Sequence, residues 1–370
     1  METLNAKELF SEEDLKLDPV ERAETIPSRW YTDPLFFEFD QKAIFQQTWQ
    51  YVGHARRPQK PGEYVLATVA DNPLLLVRDK EGVLRAFYNV CRHRGGPLVT
   101  EDGCGKVLQC RYHGWTYWLN GMLRGVPEFD RVQLFDKKDY GLIPVQVVAW
   151  EGMLFVNLAE HPEPFAKQVA GIVERILPNR LSSKIFYRRV TYDIQCNWKV
   201  YVDNYLEGYH LPYVHPELSK LLDYRQYITE TYETYSLQYS PFQSGDNIYR
   251  ADNGEAFYYF IFPNFMLNIL PGRLQTNLVV PLSQDRTQVI FDYYYDDVES
   301  EQAQQIIRED MDYSDLIQQE DIEICEHVQV GLKSRGYDRG RFSVKREQGV
   351  YHFQKLLKEA YRRALMAAQS

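Results

Sequence analysis

The stretch Asn204-Tyr-Leu-Glu-Gly-Tyr-His-Leu-Pro-Tyr-Val-His215 sets two histidines, His210 and His215, five positions apart, with Glu207 three residues before the first. Two imidazoles that close, beside carboxylates, suit a divalent iron. A non-haem Fe(II) oxygenase site takes two histidines and one carboxylate and leaves positions open for O2 and substrate. Upstream, Cys91-x-His93 and Cys110-x-x-His113 bring two thiolates and two more imidazoles, which read as a two-iron cluster. One chain would then hold a centre that admits electrons and a centre that activates oxygen.

The cluster motif runs Cys91-Arg-His93-Arg-Gly-Gly-Pro and Cys110-Arg-Tyr-His113-Gly-Trp. In a Rieske [2Fe–2S] centre two histidines replace two cysteines on one iron, which raises the reduction potential. Gly95, Gly96 and Gly114 let the backbone pass close to such a group. A structural Cys2His2 zinc site uses the same donors, but Cys-x-His is unlike the Cys-x2-4-Cys pair of a finger, and Gly114-Trp115 follows the second histidine directly. Cys104, between the two pairs, is expected to be a packed thiol, as are Cys196 and Cys325.

These donors need elements to hold them. From Gly62 to Val90 the chain turns to short runs rich in Val, Leu and Tyr: Tyr64–Val69, Leu74–Val77 and Leu84–Val90 are strand candidates, with a turn at Asp79–Gly82. Asn120-Gly121 predicts a hairpin within Trp115–Leu123. Val145–Trp150 and Met153–Leu158 close this all-β region, and Pro162 and Pro164 suit a linker. The spacing of Phe37, Ile44, Phe45 and Trp49 predicts a helix over 37–49. Pro164–Leu177 and 197–211 also read as helices, the latter ended by Pro212. Phe186–Gln195, Phe257–Phe262, Phe265–Leu270, Gln275–Val280 and Gln288–Tyr295 read as strands. Val298–Leu332 is a long helix and Tyr351–Ala367 a terminal one. The fold class is α+β, a small β domain followed by a domain with an antiparallel sheet and a long helix.

Composition narrows the partners. A length of 370 residues favours two domains or one large one, and 44% hydrophobic with 25% charged residues is an ordinary globular balance. The net charge is -10 and the basic residues form no long run, which argues against nucleic acid. No apolar run reaches the roughly 20 residues of a membrane span, and Met1–Glu8 shows no signal peptide. Five cysteines are too few for a disulfide framework, so a reducing cytoplasmic compartment is expected. No glycine-rich dinucleotide loop occurs, so NAD(P)H is expected on a separate reductase.

In order and spacing, C-x-H-x16-C-x2-H, then Asn197-Trp198-Lys199, then D-N-Y-L-E-G-Y-H-L-P-Y-V-H resemble the two signatures of the oxygenase (α) subunits of Rieske non-haem iron oxygenases. The resemblance spans from about residue 25 to the C-terminus, and the catalytic signatures look nearest to the choline, carnitine and glycine-betaine monooxygenases. It implies an N-terminal Rieske domain and a helix-grip (START-like) catalytic domain. The expected divisions are an N-terminal segment at 1–45 packing on the catalytic domain, a Rieske domain at 46–160, a linker and helix at 161–184, and the catalytic domain at 185–370.

By that resemblance Cys91, His93, Cys110 and His113 hold the [2Fe–2S] cluster, and His210 and His215 hold a mononuclear Fe(II). The third ligand is expected on the long C-terminal helix, among Asp312, Asp315, Glu320, Asp321 and Glu323. The likeness of Val328–Tyr337 to carnitine oxygenases selects Asp321, with Glu320 second. Glu207 takes the family's bridging-carboxylate place, linking His113 of one chain to His210 of the next in a homotrimer, while Asn204 and Asp203 support the ligands from the same helix. A ferredoxin or reductase supplies electrons, and O2 is the co-substrate. A quaternary or N-methylated amine is the favoured small substrate. It would need an aromatic cage, for which Tyr205, Tyr209, Tyr213 and Phe257–Phe262 are candidates. An aromatic-ring dioxygenase acting on an aromatic acid is the alternative, and an electron-transfer or iron-binding protein the non-enzymatic one. Arg92, where carnitine oxygenases have Pro, and Gly114, where they have Ala, keep carnitine specificity from being carried over.

Overall fold

The computed structural model describes residues 9–177, 180–218, 224–242 and 255–367. Met1–Glu8, read above for a leader, lies outside them. The chain divides into two compact units, Phe45–Phe165 and Met1–Ile44 with Ala166–Ser370. Helices and strands are numbered along the chain. α1 (Arg29–Thr32) and α2 (Pro34–Asp40) belong to the second unit. Asp33 caps α2, its carboxylate accepting the Leu35 amide at 2.9 Å with Pro34 in the first turn.

The unit Phe45–Phe165 is β-rich. Its strands are β1 (Gln50–His54), β2 (Glu63–Val69), β3 (Asn72–Arg78), β4 (Leu84–Tyr88), β5 (Gly103–Cys104), β6 (Val107–Gln109), β7 (Thr116–Trp118), β8 (Leu123–Gly125), β9 (Pro144–Trp150) and β10 (Met153–Asn157). One sheet runs β1-β10-β9-β4-β3-β2-β5 and a second β6-β7-β8. β3 is buried on both faces, which explains its unbroken apolar run. Leu74 and Leu76 enter one core with Val145 and Leu154, while Leu75 and Val77 enter another with Phe87, Trp115 and Tyr117. That second core also holds Cys91 and Cys110. The hairpin forms at Asn120-Gly121, where Gly121 takes a φ of 88° and the Trp118 amide donates to the Met122 carbonyl.

The other unit is built on α3 (Phe165–Gln168, at the boundary), α4 (Ile172–Ile176), β11 (Ile185–Ile194), α5 (Trp198–Tyr205), α6 (Leu211–Val214), β12 (Ile228–Thr231), β13 (Tyr235–Pro241), β14 (Glu255–Ile261), β15 (Phe265–Leu270), β16 (Arg273–Ser283), β17 (Arg286–Tyr295), α7 (Glu301–Leu332) and α8 (Gln348–Ala367). Its antiparallel sheet runs β11-β17-β16-β15-β14-β13-β12. Register places Gln238, Tyr258, Asn268, Gln275 and Tyr293 in one row across five strands. α7, capped by Ser300, buries Ile307, Asp310, Gln318, Cys325, Gln329 and Leu332. A helix face that hides this many polar groups faces a polar site rather than an oily core.

Several expected elements differ. The helix over 37–49 stops at Asp40, passes through a π-turn at Gln41–Phe45 and gives way to β1. The helix at Pro164–Leu177 is split into α3 and α4 by Gly171, whose φ of 85° breaks the helical backbone. β12 and β13 were not expected: Thr-Glu-Thr-Tyr-Glu-Thr over the edge strand β12 and the turn after it is too polar to read as a strand, whereas Tyr235-Ser-Leu-Gln-Tyr-Ser240 in β13 does alternate. Residues 197–211 are not one helix, because α5 ends at Tyr205. Pro212 does not end a helix; it sits in the first turn of α6, where its missing N–H costs nothing.

Buried charge fastens the N-terminal segment to α5 and α8. Lys199 and Asp40 form an ion pair with both side chains fully enclosed, and Asp40 also accepts the Trp198 indole and the Tyr361 hydroxyl. Removing one member of such a pair costs roughly 3–5 kcal/mol, because it strands the other. Asp203, one residue before Asn204, accepts the Tyr31 hydroxyl at 2.6 Å and the Gln354 amide. Burial pushes its carboxyl up to about 7 despite those bonds. Between the ordinary carboxylate value and 7 the folded state therefore holds a proton that the unfolded state has lost. Stability from this group is complete below about pH 4 and is lost as pH rises to about 7. Asp203→Asn removes that slope. The Tm of the variant relative to the parent is expected to climb across pH 5 to 8; a constant difference would refute the burial of the ionised form.

Candidate active site

Both cysteine–histidine loops close in the same way. The Gly95 amide donates to the Cys91 carbonyl at 3.0 Å and the Cys91 amide to Gly96 at 2.8 Å. Likewise Gly114 donates to Cys110 and Cys110 to Trp115, each at 2.9 Å. Gly114 takes a φ of 72°, and a Cβ on Gly96 would lie 3.1 Å from the Cys110 sulfur. Cys91 and Cys110 are buried, and desolvation raises the Cys91 thiol. The His93 and His113 rings stand 4.6 Å apart, with Trp115 stacked on His93 at 4.8 Å. His93 Nδ1 is buried with no hydrogen-bond partner. An orphaned imidazole nitrogen beside two buried thiols fits a metal group. Among the described residues, no three ligand atoms of this set lie within 4.8 Å of one another. A single tetrahedral ion would gather all four donors within about 4 Å, whereas a two-iron cluster puts the sulfurs and nitrogens on different irons. Cys104 is exposed rather than packed.

The second set does converge. His210, His215 and Asp321 each offer a ligand atom, all within 4.8 Å of one another. α6 places the two histidines at its opposite ends, and α7 supplies Asp321. Asp321 Oδ1 lies 3.0 Å from His215 Nε2, 3.8 Å from His210 Nε2 and 2.6 Å from the donating Asn204 amide. A carboxylate backs each ring on its other side: Glu207 is 2.7 Å from His210 Nδ1 and Glu320 is 2.7 Å from His215 Nδ1. Protons on Nδ1, facing these carboxylates, would leave both Nε2 lone pairs toward the centre, the carboxylate–histidine–metal arrangement. Burial opposes charge on His215, yet Asp321 and Glu320 together hold its pKa above the usual value.

Of the five acids considered on α7, Asp312, Asp315 and Glu323 are exposed, and Asp315 accepts the Tyr192 hydroxyl. Glu207 is not on the helix of Asn204 and Asp203, since it follows the end of α5. It is fixed instead by the Tyr209 and His210 amides, which donate to its carboxylate.

A cavity opens from this centre between α5, α7 and the sheet. Tyr201, Tyr205, Tyr227, Tyr258 and Phe291 wall it with rings. The hydroxyls of Tyr201, Tyr205 and Tyr227 are tied to Gln318, Asn268 and Gln238. Burial keeps these phenols neutral and raises Tyr258 to about 12. Of the cage candidates, Tyr205 and Tyr258 reach the cavity. Tyr209 and Tyr213 do not: Tyr213, 81% exposed, lies on the outer face of α6, and Tyr209, just ahead of that helix, is exposed too. Tyr227, Arg273, Gln275 and Asn277 had not been anticipated. The i, i+2 polar spacing of the last three on β16 was the available signal.

Residues 48–136 match the Rieske [2Fe–2S] domain family, and residues 186–363 match the ring hydroxylating alpha subunit (catalytic domain) family. The chain is similar to the chloroplastic choline monooxygenase of Arabidopsis thaliana, at 36% identity over 94% of this chain and 85% of that one. It is also similar to the carnitine monooxygenase oxygenase subunit of Acinetobacter baumannii, at 33% identity over 90% and 94% of the two chains. Among solved structures, the quaternary ammonium Rieske monooxygenase CntA in complex with L-carnitine superposes with a TM-score of 0.80 at 31% identity, covering 92% of this chain and 96% of that one.

Proposed function

The chain belongs to the Rieske non-haem iron oxygenases, the family of the choline and carnitine monooxygenases it matches, and on that premise we propose that it oxidises a quaternary ammonium compound. It is an oxidoreductase, the oxygenase component of a multicomponent system that takes electrons from a separate reductase. The observation that carries the substrate class is the cavity of tyrosine and phenylalanine rings opening on His210, His215 and Asp321. Ring faces attract a cation that has no N–H to donate.

In this proposal Cys91, His93, Cys110 and His113 hold the cluster, and His210, His215 and Asp321 hold the mononuclear iron. When bound, the two groups supply single electrons and oxygen activation for converting R–H, O2, two electrons and two protons into R–OH and water. The protein's own part is positional. Glu207 and Glu320 fix the imidazole tautomers, Asn204 holds the Asp321 carboxylate, and the rings set which carbon faces the centre. Hydroxylation on a carbon attached to nitrogen would be followed by C–N cleavage to an aldehyde and a smaller amine.

His113 is exposed at its loop tip, which favours a route in which the partner subunit's His113 meets Glu207 across the interface of a homotrimer. No helix of the described residues is long and apolar enough to cross a membrane, and we place the protein in the cytoplasm. The test is a single turnover. Reduced protein is freed of reductant, mixed with O2, and followed for cluster reoxidation and product with panels of quaternary amines and aromatic acids. Faster reoxidation with product from a quaternary amine is expected. Product from an aromatic acid alone would overturn the substrate class, and reoxidation indifferent to every compound, without product, would overturn the oxygenase assignment itself.

A further inference from the structure

Two cysteines outside the cluster loops, Cys196 and Cys325, are set against each other by the fold. Their exposures are 0% and 1%. Cys196 lies between β11 and α5, and both of its chain neighbours are fastened to α7. The Gln195 amide donates to Glu326 Oε1 at 2.9 Å, and the Asn197 amide donates to Gln329 Oε1 at 2.8 Å. The Thr287 hydroxyl donates to the Cys196 carbonyl at 2.7 Å. Cys325 directly precedes Glu326 on α7. The two thiols hydrogen-bond to each other, and that bond, with burial behind it, pushes the Cys325 thiol well above its ordinary value.

The pair sits beside the converging histidines and carboxylate. Cys325 follows Asp321 by four residues, so the two share one face of α7 about 6 Å apart along its axis. The Asp321 carboxylate is near enough to add to the rise of Cys325. A thiol so buried and protonated is inert toward oxidants in solution, because the thiolate is the reactive form. An oxidant released one helical turn away reaches the pair before it is diluted. Such an oxidant arises when an oxygenase takes up electrons and O2 with no C–H bond in reach: O2, two electrons and two protons give H2O2.

We propose that Cys196 and Cys325 form a disulfide with hydrogen peroxide released at His210, His215 and Asp321, a modification that slows the site when no substrate is bound. This rests on the oxygenase reading above and not on the choice of substrate. The step balances. One thiol sulfur takes an oxygen as the O–O bond breaks, leaving a sulfenic acid and one water. The second thiol attacks that sulfur, the S–S bond forms and a second water leaves. Two thiols are oxidised and one peroxide is reduced. The bond holds the sulfurs closer than any non-bonded contact. It joins the residue before Asn197, the cap of α5, to α7. Those two helices carry Asn204 and Asp321, which are held together at 2.6 Å. A displacement of about 1 Å at such a site can cost about 100-fold in rate.

The test cycles the metal-loaded protein with an electron donor and O2, with no amine added and with catalase in solution to remove peroxide that escapes. A parallel run without catalase measures the peroxide formed. The protein is then denatured, alkylated, digested and weighed. The Cys196 and Cys325 peptides are expected to be joined and lighter by two hydrogens. The rate of cluster reoxidation is expected to fall about 10-fold or more and to return after treatment with dithiothreitol. Cys325→Ser and Cys196→Ser, each nearly isosteric, are expected to keep the parental rate through the same cycling. Asp321→Ala given the same total of added peroxide is expected to keep both thiols open to alkylation. Peroxide formed with both thiols still alkylated overturns the disulfide and leaves the oxygenase reading standing. Reoxidation without peroxide overturns its source. Oxygen added to either sulfur without a crosslink overturns it as well, and so does equal crosslinking of Asp321→Ala by added peroxide. A rate lost equally in the serine variants overturns the slowing. Should a serine variant fail to fold, the crosslink in the parent and its reversal by dithiothreitol still decide.

Discussion

Asp321→Ala is expected to lose the mononuclear iron and essentially all product formation, by about three orders of magnitude or more, while the two-iron cluster stays intact. The carboxylate oxygen concerned meets the two Nε2 atoms at 3.0 and 3.8 Å, and alanine leaves only two imidazoles to hold a metal. The neighbouring acid gives the contrast. Glu320→Gln leaves all three converging atoms in place and weakens only the partner of His215 Nδ1. Loss of such a supporting group typically costs about 10- to 100-fold in metal affinity or activity. Metal analysis of both variants, with the cluster's visible spectrum as an internal control, separates the two roles. Full iron in Asp321→Ala with loss in Glu320→Gln would reverse the assignment. Loss of the cluster signal as well would mean the variant had misfolded, and Asp321→Asn, nearly isosteric, then decides between ligand and scaffold.

Glu207→Gln is expected to leave both metal groups bound but slow turnover by about 100-fold or more, the size of effect that follows loss of a positioned proton-transfer group. The amide side chain of this variant can still accept the Tyr209 and His210 amides through its carbonyl, so the local backbone is kept. What it loses is the charge facing His210 Nδ1 and the ability to take that proton. Stopped-flow reoxidation of the reduced cluster isolates the step. A parental rate in the variant would exclude Glu207 from the route between centres. Glu207→Asp, which retains the charge one methylene short, is expected to fall between the two.

Much of the chemistry was legible locally. Cys91, His93, Cys110 and His113 lie within a few residues of one another in two loops, as do His210 and His215 around α6. The close-set donors, glycines and turn residues need no distant partner to be recognised. Strands with unbroken or alternating apolar runs, and the long α7, were legible for the same reason: their period is a property of the segment alone.

The remainder depended on packing. Adjacent residues on a helix point about 100° apart, so which of Glu320 and Asp321 meets the Nε2 atoms is a matter of how α7 sits on α5 and α6. Pro212 looked like a terminator because its ring forbids a continuing helix, yet the break falls earlier, at Tyr205, and the proline then opens α6. Tyr209 and Tyr213 have the composition of a cage but face solvent, one just ahead of this short helix and the other on it. Arg273, Tyr227 and Tyr313 come from a strand, a loop turn and a helix far apart in the chain. What the amino-acid order by itself determined about this protein is the pairing of its candidate cysteine and histidine donors, because each pair is fixed by short-range spacing. What only the tertiary structure decided is the shape and polarity of the space the substrate must fill, because that space is the product of sheet register and helix rotation acting together.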